Sequence, residues 1–391
     1  MTVSPHPNTG FDLAAAERHC PAMDRADDGM VTDFEAARLT VRLSALADNF
    51  RTAQKLASPA EVAAVVKADA YGTGIGPAAK SLLNAGCDSF FVARLEEGVA
   101  LRPLAPEARI FVLDGAQPDM VPALLAHRLI PVLNSLSEVA AWSAAAQSTR
   151  STLDAAVHID TGMNRLGLSP AELSNLAAEH GRHLAGLRVV LWMSHLACSD
   201  EPDAKLNRLQ LERFQTALAM LPEAPASLSA SGGMMLGKDY HFDLVRPGIA
   251  LYGGNPQPGQ PNPFGSVVSL SATIMQVRHA NKGESVGYGA SYRLKRPSLL
   301  GTAALGYADG IFRSLSNSGS VAIGTARAPI IGRVSMDLLT VDLTDIPTAV
   351  HAGTEVELFG QTISLEEIAA AGNTISYEVL TSLSRRARRT Y

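Results

Sequence analysis

VAAVVKADAYG, residues 62–72, opens a series of eight runs of one kind: apolar residues closed by polar or glycine residues and followed by helix-like sequence. The others are DSFFVAR (88–94), RIFVLDG (109–115), LIPVLNS (129–135), AAVHIDTG (155–162), LRVVLWMSHLA (187–197), ASLSASGG (226–233) and DLVRPGIALYGG (243–254). A strand that stays apolar without alternation is buried on both faces, and strands that alternate with helices make a parallel sheet. Eight such units in roughly 220 residues fit a closed (β/α)8 barrel, with an open doubly wound sheet as the competing α/β arrangement. In a barrel the chemistry collects at the C-terminal ends of the strands. That rule places Lys67, Arg94, Asp114, Asn134, Asp160, His195, Ser231 and Arg246 around one mouth.

Outward from the barrel the pattern changes. Downstream, GGNPQPGQPNPFG (253–265) reads as a linker. Beyond it SVVSLSATIMQVRHA (266–280), GSVAIGTARAPIIGRVS (319–335), LLTVDL (338–343) and EVELFG (355–360) read as short strands, and only EEIAAAG (366–372) and YEVLTSLSRRARR (377–389) look helical. Upstream, RLTVRL (38–43) alternates like a strand, while SALADNFRTAQKLA (44–57) spaces Leu46, Phe50 and Ala53 as a helix does. The expected organisation is an extension over 1–36, a barrel over 37–265 whose initial strand, 37–44, joins the second domain, and a mainly β domain over 266–391.

Composition narrows the function. The 391 residues are 47% hydrophobic and 18% charged, which fills real cores, and the net charge of −5 gives no basic field for nucleic acid or an anionic membrane. Three cysteines without CxxC spacing encode neither a disulfide framework nor a cysteine metal site, and no apolar run suits a signal peptide or a membrane span. A cytoplasmic protein without metal, nucleic-acid or membrane partners is the expectation. Lysine is scarce, and Lys67 ends an apolar strand, where desolvation favours the neutral amine and hence attack on a carbonyl carbon. Taken alone, such a string more often marks a lysine snorkelling to water. Arg246 alone reads as a salt-bridge partner of Asp243, and Tyr288 alone as a turn aromatic beside glycines.

AVVKADAYG (64–72), HIDTGMNRLGL (158–168), SHLACSD (194–200), DLVRPGIALYGG (243–254), VGYGASY (286–292), GYADG (306–310) and GRVSMD (332–337) together resemble the alanine racemases, in that family's order and over roughly residues 38–391. The resemblance implies a pyridoxal-phosphate enzyme of fold-type III, a (β/α)8 barrel followed by a mainly β domain, that interconverts L- and D-alanine as a homodimer and supplies D-alanine for peptidoglycan. A racemase of broader range, or one preferring serine, is the alternative, because no residue read here fixes the size of the substrate side chain. By the same resemblance Lys67 holds pyridoxal 5′-phosphate covalently and is one proton-transferring base. Tyr288 of the partner subunit is the other base, its anion stabilised by His195 or Arg246. Tyr71, His195, Ser231, Arg246, Gly248, Ile249 and Tyr377 contact the cofactor, Arg165 and Met336 contact the substrate, and Tyr307 helps to narrow the entrance.

Three positions depart from the family pattern. His158 stands where many relatives carry a carbamylated lysine, so a bound anion such as chloride, or a nearby acidic side chain, is expected to supply the missing negative charge beside Arg165. Thr73 replaces a histidine, and SASGG replaces a more usual string around the phosphate serine.

Overall fold

A computed structural model describes residues 36–391; the expected 1–36 extension therefore lies almost wholly outside the described residues. The chain enters through β1 (Ala37–Val41) and the helix Leu43–Ala57, so the first strand ends before the expected residue 44. Leu43 belongs to the helix because the apolar positions then change from alternation to helical spacing, with Leu46, Phe50, Ala53 and Ala57 on the buried side. Asn49 is buried among them and fully used: its amide donates to Leu251 O and Gly265 O, and its Oδ1 accepts from Gly265 N at 2.8 Å. The helix thereby fastens both ends of the 253–265 linker.

β2 (Glu61–Val62) and β3 (Ala64–Val65) form one interrupted strand, followed by β4 (Ser89–Val92), β5 (Arg109–Val112), β6 (Ile130–Leu133), β7 (Leu153–His158), β8 (Leu187–Met193), β9 (Ala226–Ser227) and β10 (Leu244–Val245). β3 to β9 pair in chain order, all parallel. Closure comes from β10, which pairs in parallel with β2 and is joined to the β9 side by a bridge between Ala230 and Arg246. The eight apolar runs thus form a closed barrel rather than an open sheet. Burial on both faces explains the unbroken apolar strings. Phe91 and Phe111 face each other in register and stack with ring centres 4.5 Å apart.

The second sheet contains β1, β11 (Val268–Ala280), β14 (Ser298–Ala303), β15 (Ser320–Ile323), β16 (Ala326–Pro329), β17 (Leu339–Asp342), β18 (Glu355–Phe359) and β19 (Arg388–Thr390), while β12 (Ser285–Val286) and β13 (Tyr292–Arg293) form a separate hairpin. β1 pairs antiparallel with β11 and parallel with β19. The expected helix over 377–389 is overturned in its second half. Helix Ser376–Thr381 stops early, and Arg388–Thr390 becomes a strand because β1 offers it an open edge. Among the described residues no helix is long and apolar enough to cross a membrane.

Candidate active site

Lys67 follows the barrel's first strand, and the chain turns there in an unusual way. Ala68, Asp69, Ala70 and Tyr71 all have φ between 54° and 56°, a left-handed turn built without glycine. Each such residue costs roughly 1–2 kcal/mol relative to right-handed backbone, so the surroundings must impose it. Glu97 accepts from Ala68 N at 2.7 Å, Asp69 Oδ1 accepts from Ile75 N at 2.8 Å, and the Thr73 hydroxyl donates to Ala70 O. Gly72 and Gly74 complete the turn in the left-handed region, and a Cβ on Gly72 would collide with Leu380 O. The turn sends Lys67 and Tyr71 into the same cavity at the strand ends.

That cavity brings together Lys67, Tyr71, Arg165, His195, Ser231, Arg246, Gly248, Ile249 and Tyr377, along with His158. Burial, with Arg165 nearby, lowers the pKa of Lys67 and favours its nucleophilic amine form. Ser231 Oγ accepts from Gly248 N at 2.9 Å and from Ala250 N at 3.3 Å, which leaves its own proton free to donate into the cavity. A Cβ on Gly248 would overlap the Tyr71 hydroxyl, so only glycine lets that phenol approach. Tyr71 stacks on Tyr252 with ring centres 4.6 Å apart, and burial pushes its pKa up, so its hydroxyl keeps its proton. The two hydroxyls and the Ile249 N–H, beside Gly248, make a donor cradle suited to a phosphate, and Lys67 suits an aldehyde in the same cavity.

Arg246 is fully enclosed. Its guanidinium donates to Ser227 Oγ, to Ser194 O at 2.7 Å and to His195 Nδ1 at 3.3 Å, and it lies 5.8 Å from the centre of the Phe91 ring. Asp243 instead accepts from Ala226 N, so the salt-bridge reading of Arg246 does not hold. Desolvation without a carboxylate partner lowers the pKa of Arg246 to about 9, which still leaves it cationic at neutral pH. Because that cation donates to His195 Nδ1, the imidazole carries its proton on Nε2. Burial and the positive charges of Arg246 and Arg165 hold His195 well below its usual pKa. His195 is therefore neutral and cannot be a cation for a tyrosinate. Arg246 is the remaining member of that pair.

Arg94, Asp114 and Asp160, expected at the mouth, do not line the cavity. Arg94 reaches outward to Glu96, and Asp160 accepts from the backbone amides of Gly162, Met163 and Asn164 to shape the loop that carries Arg165. Among the described residues of one protomer no carboxylate forms a salt bridge with Arg165, and Asp160, the acid of its loop, is spent on backbone amides. Tyr288 and Met336 also lie outside the cavity within one protomer, Tyr288 72% exposed in the turn of the β12–β13 hairpin and Met336 53% exposed on a loop of the second sheet, and Tyr307 is 44% exposed. Phe91 beneath Arg246 and Asn134 beside His158 belong to the site although the sequence marked Phe91 only as strand core and Asn134 only as a strand-end residue. Neither carries a sequence signal beyond its place in a run.

Residues 41–256 match the alanine racemase N-terminal domain and residues 267–391 match the alanine racemase C-terminal domain. The chain belongs to the alanine racemase family. It is an isomerase on that ground. It is 48% identical to the catabolic alanine racemase of Agrobacterium fabrum, with 91% of this chain and 92% of that one covered. It is 46% identical to the biosynthetic alanine racemase of the same organism, over 94% and 97%. Among solved structures it resembles the alanine racemase of Bartonella henselae with covalently bound pyridoxal phosphate, at TM-score 0.88 and 39% identity over 91% of this chain and 99% of that one.

Proposed function

We propose that the enzyme interconverts L- and D-alanine with pyridoxal 5′-phosphate, in a homodimer whose subunits share each site. The observation that carries this reading is the convergence of Lys67, the Tyr71 and Ser231 hydroxyls and the Arg246 guanidinium on one cavity at the barrel's strand ends. Lys67 would hold the aldehyde, and Tyr71, Ser231, Gly248 and Ile249 the phosphate. When bound, that cofactor supplies an electron sink for the Cα–H bond of an amino acid. Arg246 keeps its protons at neutral pH and gives none up, so a ring nitrogen beside it stays unprotonated. The sink is then weak, which favours return of the proton over side reactions.

Inversion is simplest with one base on each face of a planar carbon. Lys67, kept in its neutral amine form by its surroundings, serves one face. Tyr288 of the partner subunit serves the other: its exposure suits a group completed by association, and the partner subunit's Met336 would come with it. Arg165 offers a planar fork for the substrate carboxylate, and Tyr377, which lines the same cavity, would contact the cofactor.

Purified holoenzyme given L-alanine should lose optical rotation, and Lys67→Ala should abolish both that activity and the absorbance of lysine-linked cofactor. An enzyme that binds the aldehyde and leaves L-alanine unchanged would overturn the proposal. Relative turnover of alanine, serine and lysine decides between an alanine enzyme and a broader or serine-preferring one. Supply of D-alanine for peptidoglycan is the physiological role proposed, and a D-alanine requirement after deletion is its test.

A further inference from the structure

His158 sits at the end of β7, buried, where its ring edges face two different neighbours. On one edge, Nδ1 lies 2.9 Å from Asn134 Oδ1. The orientation of that amide is forced. Asn134 Nδ2 lies 3.0 Å from Leu113 O and 2.9 Å from Val132 O, and carbonyl oxygens only accept, so the NH2 group faces them and the oxygen faces the ring. An amide oxygen also only accepts, so His158 Nδ1 carries a proton. Asn134 is held in turn: its backbone N–H donates to Glu138 Oε2 at 2.7 Å, and Gln117 donates to the other oxygen of that buried carboxylate. Gly115 leaves room for the carboxylate, since a Cβ there would overlap it.

On the opposite side of the ring, Cδ2 faces the turn that presents Arg165. The Cβ position of Gly167 lies 3.1 Å from His158 Cδ2, and Leu168 folds back so that its N–H donates to His158 O at 2.8 Å. His158 and Arg165 line the same cavity, and Asp160, the acid of the loop that carries Arg165, is spent on backbone amides. We propose that His158 is a positioning residue: Asn134 fixes its ring as the Nδ1–H tautomer, and its bare Nε2 accepts a hydrogen bond from the Arg165 guanidinium and aims it at the substrate carboxylate. The charged and titratable groups around the ring are Arg246, Arg165, Asp160 and His195. Burial and the two arginines outweigh Asp160 and hold the ring's pKa down to about 4, so Nε2 stays free of a proton at neutral pH. The two imidazoles of the cavity thus carry opposite tautomers: His195 gives a donor on Nε2, and His158 gives an acceptor there. A neutral acceptor needs no bound anion and no carbon dioxide adduct to hold Arg165.

This inference rests on the alanine racemase reading, and its tests separate the two. Nitrogen NMR of 15N-histidine holoenzyme at pH 7 should show His158 protonated on Nδ1 and bare on Nε2; a proton on Nε2 overturns the proposal whatever the activity. His158→Phe should raise KM for alanine roughly 10- to 100-fold, as loss of a hydrogen bond to a charged group predicts, with kcat changed less and the lysine-linked absorbance kept. His158→Gln, which restores an acceptor at about the reach of Nε2, should recover much of the KM. Wild-type turnover should be the same in chloride-free, bicarbonate-free sulfate buffer as in chloride. An unchanged KM in His158→Phe, or activity that requires chloride or bicarbonate, overturns the role of His158 while leaving racemisation intact.

Discussion

At the scale of single residues, the site is a set of polar groups whose protonation is fixed by what encloses them. Two buried neutral histidines give a signed pH dependence. Both have folded pKa values below the unfolded value near 6.5, so the unfolded chain binds more protons as the pH falls, and stability present above 6.5 is lost on acidification. Unfolding free energy of the cofactor-free enzyme should fall from pH 6.5 toward pH 4 with a slope of about 1.4 kcal/mol per pH unit for each imidazole. Denaturant titrations at several pH values check this, and His158→Phe should flatten the slope by one proton. Gly248→Ala belongs to the same scale. Its methyl would occupy the place of the Tyr71 hydroxyl, and Tyr71 cannot retreat from its stack on Tyr252 without opening the core. A cost of about 1–3 kcal/mol in stability and a weaker cofactor titration are expected, the first from thermal unfolding and the second from absorbance.

At the scale of elements, the left-handed turn after Lys67 is where local preference and tertiary demand conflict. Ala68 is exposed, so substitution there tests backbone conformation with little change in packing. Ala68→Gly removes the penalty on φ near 54° and should leave the protein as stable as before or about 1 kcal/mol more so, whereas Ala68→Val should destabilise it by about 2 kcal/mol or more. Equal losses from both variants would mean that the turn is right-handed in solution. The last strand is held against this turn. Arg389 donates to Gly72 O through Nε at 3.1 Å and through a terminal nitrogen at 2.9 Å, while β19 lies along β1. Removing residues 388–391 should therefore weaken cofactor retention as well as lower the melting temperature, since the truncation releases the loop that carries Lys67.

At the scale of the whole molecule, Lys67 and Tyr288, the two bases proposed, are on different parts of one chain, and only association would unite them. A mixing experiment reads this directly. Lys67→Ala and Tyr288→Phe should each be nearly inactive, yet a heterodimer has one site built from two intact contributions. Random reassortment gives half heterodimers with one working site in two, so the mixture should regain about a quarter of wild-type activity. No recovery after subunit exchange would place both groups in a single protomer and sink the shared site. Arg386 deserves a test at this scale too, since it reaches Asp309 at 3.4 Å and Asp337 at 2.9 Å and so ties the loop of Tyr307 to the loop of Met336. Arg386→Ala should raise KM with the cofactor absorbance unchanged.

The barrel was legible because burial on both faces leaves unbroken apolar strings, and the polar residue that ends such a string lies at the mouth end of its strand, although Arg94 then turns outward to Glu96. Lys67, Ser231 and Arg246 were placed by that rule alone, and ordered motifs added Tyr71, Arg165 and Gly248. The fate of RRARR was not legible: its composition suits a helix, and what made it a strand was the free edge of a strand some 350 positions earlier. Nor did the sequence contain the left-handed turn, since nothing in ADAY forbids ordinary helix. The protonation of His158 and His195 belongs to the same class, because a tautomer depends on which lone pair faces which donor. Sequence determined where the apolar surface lies and hence the barrel and its mouth. Tertiary structure decided backbone handedness, strand edges and proton positions, because each is set by groups far away in the chain that meet only when it folds.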